Sequence, residues 1–369
     1  MPVAWSALPS LVQEGILKEM SAENIFFLSL ASKRTVDSMS RFRNKNVSGV
    51  MMVFGKDAVG IRFETSDKNF FNCEKIAFKL DAFPRITGLY ATNDNKMISE
   101  FVYESKENVV SETHNHLLDL FRKSRNLEFT VAVFDFKNYK WVPFVKRAKI
   151  MAENIGISQL ETFIESHSEL ESIHLEKKVI GHISPESNLY NINHVSWKAL
   201  KFPFNEFMNN FKGKSAALQC SGHLNGHVRF FIRSWLKGGY AGNLKILHVL
   251  RTGQEIFYDD MLLESFFDKV TPFEKAGVSR ELPSFKEIKK QFETLPNWFQ
   301  ETDRDMVIER ESDKKKALVK MGANDFIFMV LDDEDKAFLG RYLAFDRHAD
   351  TRRVQKWLGA KQRFPSAIP

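Results

Sequence analysis

Cysteine is almost missing from this chain. Cys73 and Cys220 stand far apart and outside any CxxC spacing. That argues against a disulfide framework and a cysteine zinc site, and points to a reducing, intracellular compartment, cytoplasmic or nuclear. No stretch reaches the roughly 18–20 apolar residues that a membrane span needs. Glu14, Lys18, Glu19 and Glu23 break up the N-terminal region where a signal peptide would need an apolar run. No membrane is therefore expected as a partner, and the Asn46-Val47-Ser48 sequon is expected to stay unglycosylated. Aromatics with a polar handle are scarce, with 7 Tyr and 6 Trp against 34 Phe. A phenyl ring has no hydrogen-bonding group, so most of these rings are expected in the core rather than on a stacking surface.

A broad excess of charge is also lacking. The formal net charge is +6, but residues 341–369 hold seven basic residues (341, 347, 352, 353, 356, 361 and 363) against Asp346 and Asp350. The preceding body is nearly neutral, so a nucleic-acid-binding face is not indicated and the tail reads as a solvated, flexible terminus.

What is present begins at Leu8. Pro9 suits the start of a helix. Val12, Ile16 and Met20 recur every four residues, and Leu11 and Leu17 widen that stripe. Gly15 lies inside this helix, where it costs about 1 kcal/mol relative to Ala and either permits close packing or is incidental. Ser21 is an N-cap for a second helix, with Ile25, Phe26, Phe27, Leu28 and Leu30 making it apolar almost all round. Ser32 caps a third, carrying Val36, Met39 and Phe42. Helices of about ten residues are marginal alone in water, and these carry more apolar surface than they can bury among themselves. The excess must meet the rest of the chain or another protein.

Strand signals follow. Residues 50–54 and 58–63 flank Gly55-Lys56-Asp57 as a hairpin, strand-like runs occur at 74–80 and 99–104, a helix is expected at 109–124, and 127–134 reads as a strand. Further strand cores fall at Ile173–Leu175, Val195–Trp197, Ala216–Gln219 and Ile246–Val249. The markers Leu175, Trp197, Leu218 and Leu247 are spaced by 22, 21 and 29 residues. Helical segments are expected at 157–167, Phe204–Phe211 and Phe230–Lys237. One strand and one helix at such a period is the pattern of leucine-rich-repeat solenoids, although the Asn ladder of the standard signature is missing. The expected fold is α/β: three N-terminal helices, a degenerate repeat-like body with a parallel or mixed sheet, and a C-terminal hairpin. Stacked repeats of this kind offer an open face for a protein partner.

The residues also carry a resemblance. Leu8-Pro9, the spacing to Val12, Ile16, Leu17 and Met20, and the run Leu28-Ser29-Leu30-x-Ser32-Lys33-Arg34 resemble an F-box of the large nematode families, in which the position of Ala31 is often cysteine. Trp235-Leu236-Lys237-Gly238-Gly239 with Asn243-Leu244-Lys245-Ile246-Leu247 is similar to a piece of the nematode type-two F-box-associated domain. Asp305–Arg310 with Lys316–Val319 is similar to that domain's C-terminal hairpin, where Ser312-Asp313-Lys314-Lys315 replaces the usual Asp-Gly turn. The resemblance implies an F-box at 5–45, the first part of the associated body at 46–150, a repeat-like associated domain at 151–335 and the basic tail at 341–369. It also implies an adaptor subunit of a Skp–cullin–F-box ubiquitin ligase. Leu8, Pro9, Val12, Ile16, Leu17, Met20, Leu28 and Leu30 would bind a Skp-type adaptor, and through it a cullin, while the body holds a target protein. Two other readings are a repeat-like binding module whose helices are only a structural cap, and an enzyme of unrecognised type.

Catalytic patterns are weak. Gly213-Lys214-Ser215 ends like a phosphate-binding loop, but Met208 stands where its first glycine belongs and a helix, not a strand, precedes it. His114 and His116 are i,i+2 on a helix and read as solvated positions. His223 and His227 could share a helix face toward a metal, but Gly222 and Gly226 argue against a helix there. No Gly-x-Ser-x-Gly elbow occurs, and Asp332–Asp335 lacks the glycine and final Glu of a calcium loop and reads as a solvated turn. No catalytic residue, cofactor or metal ligand is therefore assigned, and no enzymatic activity is expected.

Overall fold

The computed structural model describes residues 5–29, 33–41, 47–55, 58–65, 75–79, 89–91, 97–101, 109–121, 128–137, 139–199, 202–221, 225–239, 242–252, 270–273, 305–321, 325–333 and 335. The expectations for Leu30, Ser32, Phe42, Cys73, His223 and the basic tail lie outside them. The fold is mixed α/β, in two compact units, Met1–Leu200 and Lys201–Pro369.

The first unit begins with helices α1 (Ser10–Glu19), α2 (Ala22–Ser29) and α3 (Lys33–Met39). Pro9 is the residue just before α1, with φ −56° and ψ 145°, a position that sacrifices no helical hydrogen bond. Ser21 caps α2 as its composition suggests, its Oγ accepting from the Asn24 N–H at 3.2 Å. Strands β1 (Val47–Phe54) and β2 (Ala58–Thr65) form the expected hairpin, with Phe54 opposite Val59. After β3 (Lys75–Lys79), β4 (Leu89–Ala91) and β5 (Met97–Phe101) comes helix α4 (Val109–Phe121), then β6 (Glu128–Val133), β7 (Val145–Ile150), β8 (Ile155–Gly156), α5 (Ile157–Ser166), β9 (Ser172–Leu175), β10 (Val179–Ile180) and β11 (His194–Ala199).

Within this unit the strand order is β11-β9-β7-β6-β1-β2-β3-β5-β4. β1, β6, β7, β9 and β11 run parallel, and β1, β2 and β3 form an antiparallel meander. β8 and β10 pair separately. The crossovers are not uniform. α5 links β7 to β9, but the described residues of 134–144 link β6 to β7 without a helix, and the only helical segment between β9 and β11 is a short 3₁₀ turn at Asn188–Asn191. The regular strand-helix alternation expected from the spacing is thus interrupted. Tyr139 fills the place of a missing helix. Its ring meets Phe54 and Phe163 edge-on at 4.9 and 5.2 Å, and its hydroxyl donates to His167 Nε2 at 2.7 Å. That leaves His167 Nδ1–H to donate to the Phe163 carbonyl at 2.8 Å.

The second unit contains α6 (Phe204–Asn210), β12 (Ser215–Cys220), α7 (Asn225–Leu236), β13 (Ile246–Arg251), β14 (Val270–Phe273), β15 (Asp305–Glu309), β16 (Lys316–Met321) and β17 (Asp325–Val330). β12 and β13 are parallel across α7, and β17, β16, β15 and β14 continue from β13 antiparallel. Helix α7 buries Val228, Phe231, Ile232, Trp235 and Leu236, the i, i+3, i+4, i+7, i+8 stripe of an amphipathic helix. It ends as its Gly-Gly pair predicts. Gly238 sits at φ +83°, with its N–H on Trp235 O, and Gly239 N–H reaches Ser234 O. In the β15–β16 hairpin the left-handed position falls on Lys314, at φ 60°. Arg310 holds that turn, donating to both carboxylate oxygens of Asp313 at 2.7 and 2.5 Å while its guanidinium lies 5.1 Å over the Trp235 ring. Arg310 therefore keeps the Asp313 carboxyl well below the usual carboxylate range.

Three expectations are corrected. Gly226 does not prevent a helix, since α7 begins at Asn225 and position 226 falls in its first, least constrained turn. Asp335 is fully buried rather than solvated, because its carboxylate accepts the Asp332 N–H while Asp332 Oδ1 accepts the Asp335 N–H. His114 is also fully buried, on the inward face of α4 with Phe129 4.8 Å away. Burial pushes its pKa down to about 4, against the pull of the Pro143 carbonyl. An unfolded histidine titrates near 6.5, so between these values the unfolded state binds more protons. The first unit is therefore expected to hold full stability above about pH 6.5 and to lose part of it as pH falls toward about 4. Urea melts at neutral pH and near pH 5 check this, and His114→Leu should flatten the difference.

Candidate functional site

The N-terminal helices are anchored on one side and bare on the other. Leu17, Ala22, Ile25, Phe26 and Met39 share one core with Val47, Val50, Ile61 and Phe63 of the hairpin, Leu117, Leu120 and Phe121 of α4, and Phe129 of β6. Phe26 touches Phe63 at 6.0 Å and the His116 ring edge-on at 5.6 Å. The Ser29 hydroxyl donates to Phe26 O, so the 2.6 Å contact with His116 Nε2 has the imidazole N–H donating to Ser29 Oγ. Burial lowers the His116 pKa, opposed by Asp119, which favours the neutral ring in this role.

Gln13 fixes which face of α1 turns inward. It is buried at 7 % exposure, and its amide donates to Trp5 O and Leu8 O at 3.0 and 2.9 Å while Oε1 accepts from Ser38 Oγ at 2.8 Å. Gln13, Leu17 and Met20 consequently form the inward stripe, spaced i, i+4, i+7. Leu11, Val12 and Ile16 are left outward at 83, 44 and 39 % exposure. Gly15 sits among them with no atom within 4 Å of where a Cβ would be, so the helix surface between Leu11 and Ile16 is open to close approach.

The residues expected from the sequence to bind an adaptor therefore divide. Val12, Ile16 and Pro9 are exposed and Leu8 is half-buried at the same end. Leu17 is in the core, and Met20 and Leu28 pack against it. Leu30 lies outside the described residues. Leu11, the most exposed large apolar side chain of the helix, belongs with the outward group. Its position beside Val12 and one turn from Gly15 and Ile16 was the available signal.

A second group is polar. Register places Lys149, His174 and Ser196 in one row across β7, β9 and β11. Ser196 Oγ donates to His174 Nδ1 at 2.9 Å, His174 Nε2 donates to Glu176 at 2.8 Å, and Lys198 donates to the other Glu176 oxygen at 2.8 Å. Burial lowers the His174 pKa, with Glu176 pulling the other way. Burial alone would raise Glu176, but the hydrogen bonds from Lys198 and His174 outweigh it and hold the carboxyl below its ordinary value. The Ser196–His174 and Lys198–Glu176 links cross between neighbouring strands and the His174–Glu176 link runs along one of them, so these four side chains form a polar ladder that satisfies its own members.

The Gly213-Lys214-Ser215 triplet lies between α6 and β12, a helix-to-strand turn and so the reverse of a phosphate loop's order. Among the described residues no three His, Cys, Asp or Glu side chains are grouped to hold a metal. Cys220 is buried in β12, which pushes its thiol up to about 12. No helix among the described residues is long and apolar enough to cross a membrane. Comparison with family models, characterised proteins and solved structures finds no match to this chain.

Proposed function

We propose that the chain is a target-recruiting adaptor of a Skp–cullin–F-box type ubiquitin ligase, in which α1 docks onto a Skp-type adaptor and the α/β body holds a target protein. The observation that carries this reading is the outward stripe Leu11, Val12 and Ile16 on a helix whose other face is locked by Gln13 and Leu17. Fully burying one such side chain contributes about 1.5–3 kcal/mol, so covering the stripe is a substantial gain even after the cost of association. Leu17, Met20 and Leu28 have a different role in this reading: they hold the docking helix in place. The body is read as the degenerate repeat-like part, a reading supported by the parallel pairs β9–β11 in the first unit and β12–β13 in the second. The chain would carry no covalent chemistry and would act by raising the local concentration of transfer machinery at the target.

The reading of α1–α3 as a structural cap draws on the core they share with α4 and the hairpin. Co-purification separates the two. Val12→Asp with Ile16→Asp is expected to weaken capture of a Skp-type adaptor at least about a hundredfold, as for loss of interface hot spots, with the body still folded. Unchanged capture by this variant would leave the cap reading standing.

A further inference from the structure

Five lysines of the second unit collect at one edge. Lys245 N–H donates to Lys214 O at 2.7 Å, and Asn243 Nδ2 donates to Lys212 O at 3.3 Å. Val330 N–H donates to Lys245 O and Leu331 N–H to Lys316 O at 2.8 and 2.9 Å, while Glu311 N–H on Leu236 O at 3.0 Å brings the end of α7, with Lys237, to the same place. Lys212, Lys214, Lys237, Lys245 and Lys316 are all exposed. Neighbouring strands lie about 4.8 Å apart, so Lys214 and Lys245, at the starts of paired strands, fall within about one Debye length of each other, and Lys316, three strands from Lys214, extends the edge to about 14 Å.

The carboxylates nearby are committed elsewhere. Asp313 is taken by Arg310 and Lys315, Glu309 faces Lys314, and Asp332 accepts the Asp335 N–H. Among the described residues none of the five lysines has an acidic partner. Lysines that keep a sheet from pairing with another chain lie along an edge strand. These instead cross strand ends, including β13, which is flanked on both sides by β12 and β17.

From this placement we infer that the lysine edge is a docking surface for an extended acidic segment of a partner protein. The chemistry favours a protein over a nucleic acid. Lysine offers separate point charges, which pair with the spaced carboxylates of a peptide, rather than the bidentate fork that suits phosphate. That the segment belongs to a recruited target rests on the adaptor reading; the binding itself does not.

The test is fluorescence anisotropy of the full chain with a labelled Glu-Ser repeat peptide, a Lys-Ser repeat peptide as control, and single-stranded RNA. The expected result is binding of the acidic peptide that weakens with salt and falls about tenfold or more in Lys214→Glu with Lys245→Glu, as for loss of complementary charges. Lys214→Gln with Lys245→Gln should show a smaller loss, and circular dichroism checks that both variants fold. No binding of the acidic peptide, equal binding by the charge-reversed variant, or tighter binding of RNA through the same lysines would overturn the inference. Capture of a Skp-type adaptor by the charge-reversed variant should be unchanged, because α1 is untouched. Loss of peptide binding with intact capture is thus distinguishable from failure of the adaptor reading.

Discussion

Replacing Phe26 by alanine should destabilise the first unit by about 3–5 kcal/mol, the range for emptying a large buried aromatic site. Phe26 is 1 % exposed and stands where α2 meets β2 through Phe63 and α4 through His116. Movement of His116 or Phe63 into the gap would strain the Ser29–His116 hydrogen bond or pull Phe63 away from Phe121, 5.8 Å beyond it. Phe26→Leu, which keeps most of the volume, should cost less than about 1.5 kcal/mol. Ile16→Ala, at an outward position, should stay within about 0.5 kcal/mol. The contrast, read from urea unfolding followed by tryptophan fluorescence, decides whether the N-terminal helices are part of the body. If Phe26→Ala leaves unfolding unchanged, the helices are a detachable arm and the shared core is wrong.

Trp235→Ala should be as damaging to the second unit, again about 3–5 kcal/mol. The indole is fully buried at the last turn of α7. Phe328 lies edge-on to it at 5.0 Å and to Phe231 at 5.0 Å, and Arg310 covers its face. Two effects are lost together, and their sizes differ. A desolvated cation–π contact is worth about 2 kcal/mol, less than emptying the indole site, so the cavity is the larger loss. Arg310 itself is only 6 % exposed. Without the indole it keeps Asp313 but loses the apolar surface against which its guanidinium lies. Trp235→Phe should recover much of the loss, because an aromatic ring remains to face both Phe328 and Arg310. Equal destabilisation by Phe and Ala would show that the contact depends on the indole rather than on volume and ring.

Much of the fold was legible because period and burial coincide. In α7 the apolar positions other than the exposed Phe230 fall on one face, and Gly238 marks its end. Leu117, Leu120 and Phe121 likewise identify the buried side of α4. Legibility fails where a polar residue takes a core position. Gln13 and His114 look like surface positions, yet one satisfies three hydrogen bonds and the other is enclosed by α4 and β6. β7 reads Val-Lys-Arg-Ala-Lys-Ile, and its charges hid a strand in which only Val145, Ala148 and Ile150 are buried. The four-residue spacing of Val12, Ile16 and Met20 marked them as one face of α1, whereas packing turns Met20 inward and leaves Val12 and Ile16 outward. Direction is decided by the Gln13 hydrogen bonds to Trp5, Leu8 and Ser38 and by a core that reaches as far along the chain as α4 and β6. The division between outward and anchoring residues therefore emerges only from the packing.

The central claim is that Leu11, Val12 and Ile16 form a docking face for a Skp-type adaptor. Isothermal titration of the purified full chain with purified adaptor, under reducing conditions, tests it most directly. The account predicts saturable one-to-one binding with a negative heat-capacity change from buried apolar surface, abolished in Val12→Asp with Ile16→Asp. Absence of binding by the intact, folded chain, or undiminished binding by that variant, would contradict it.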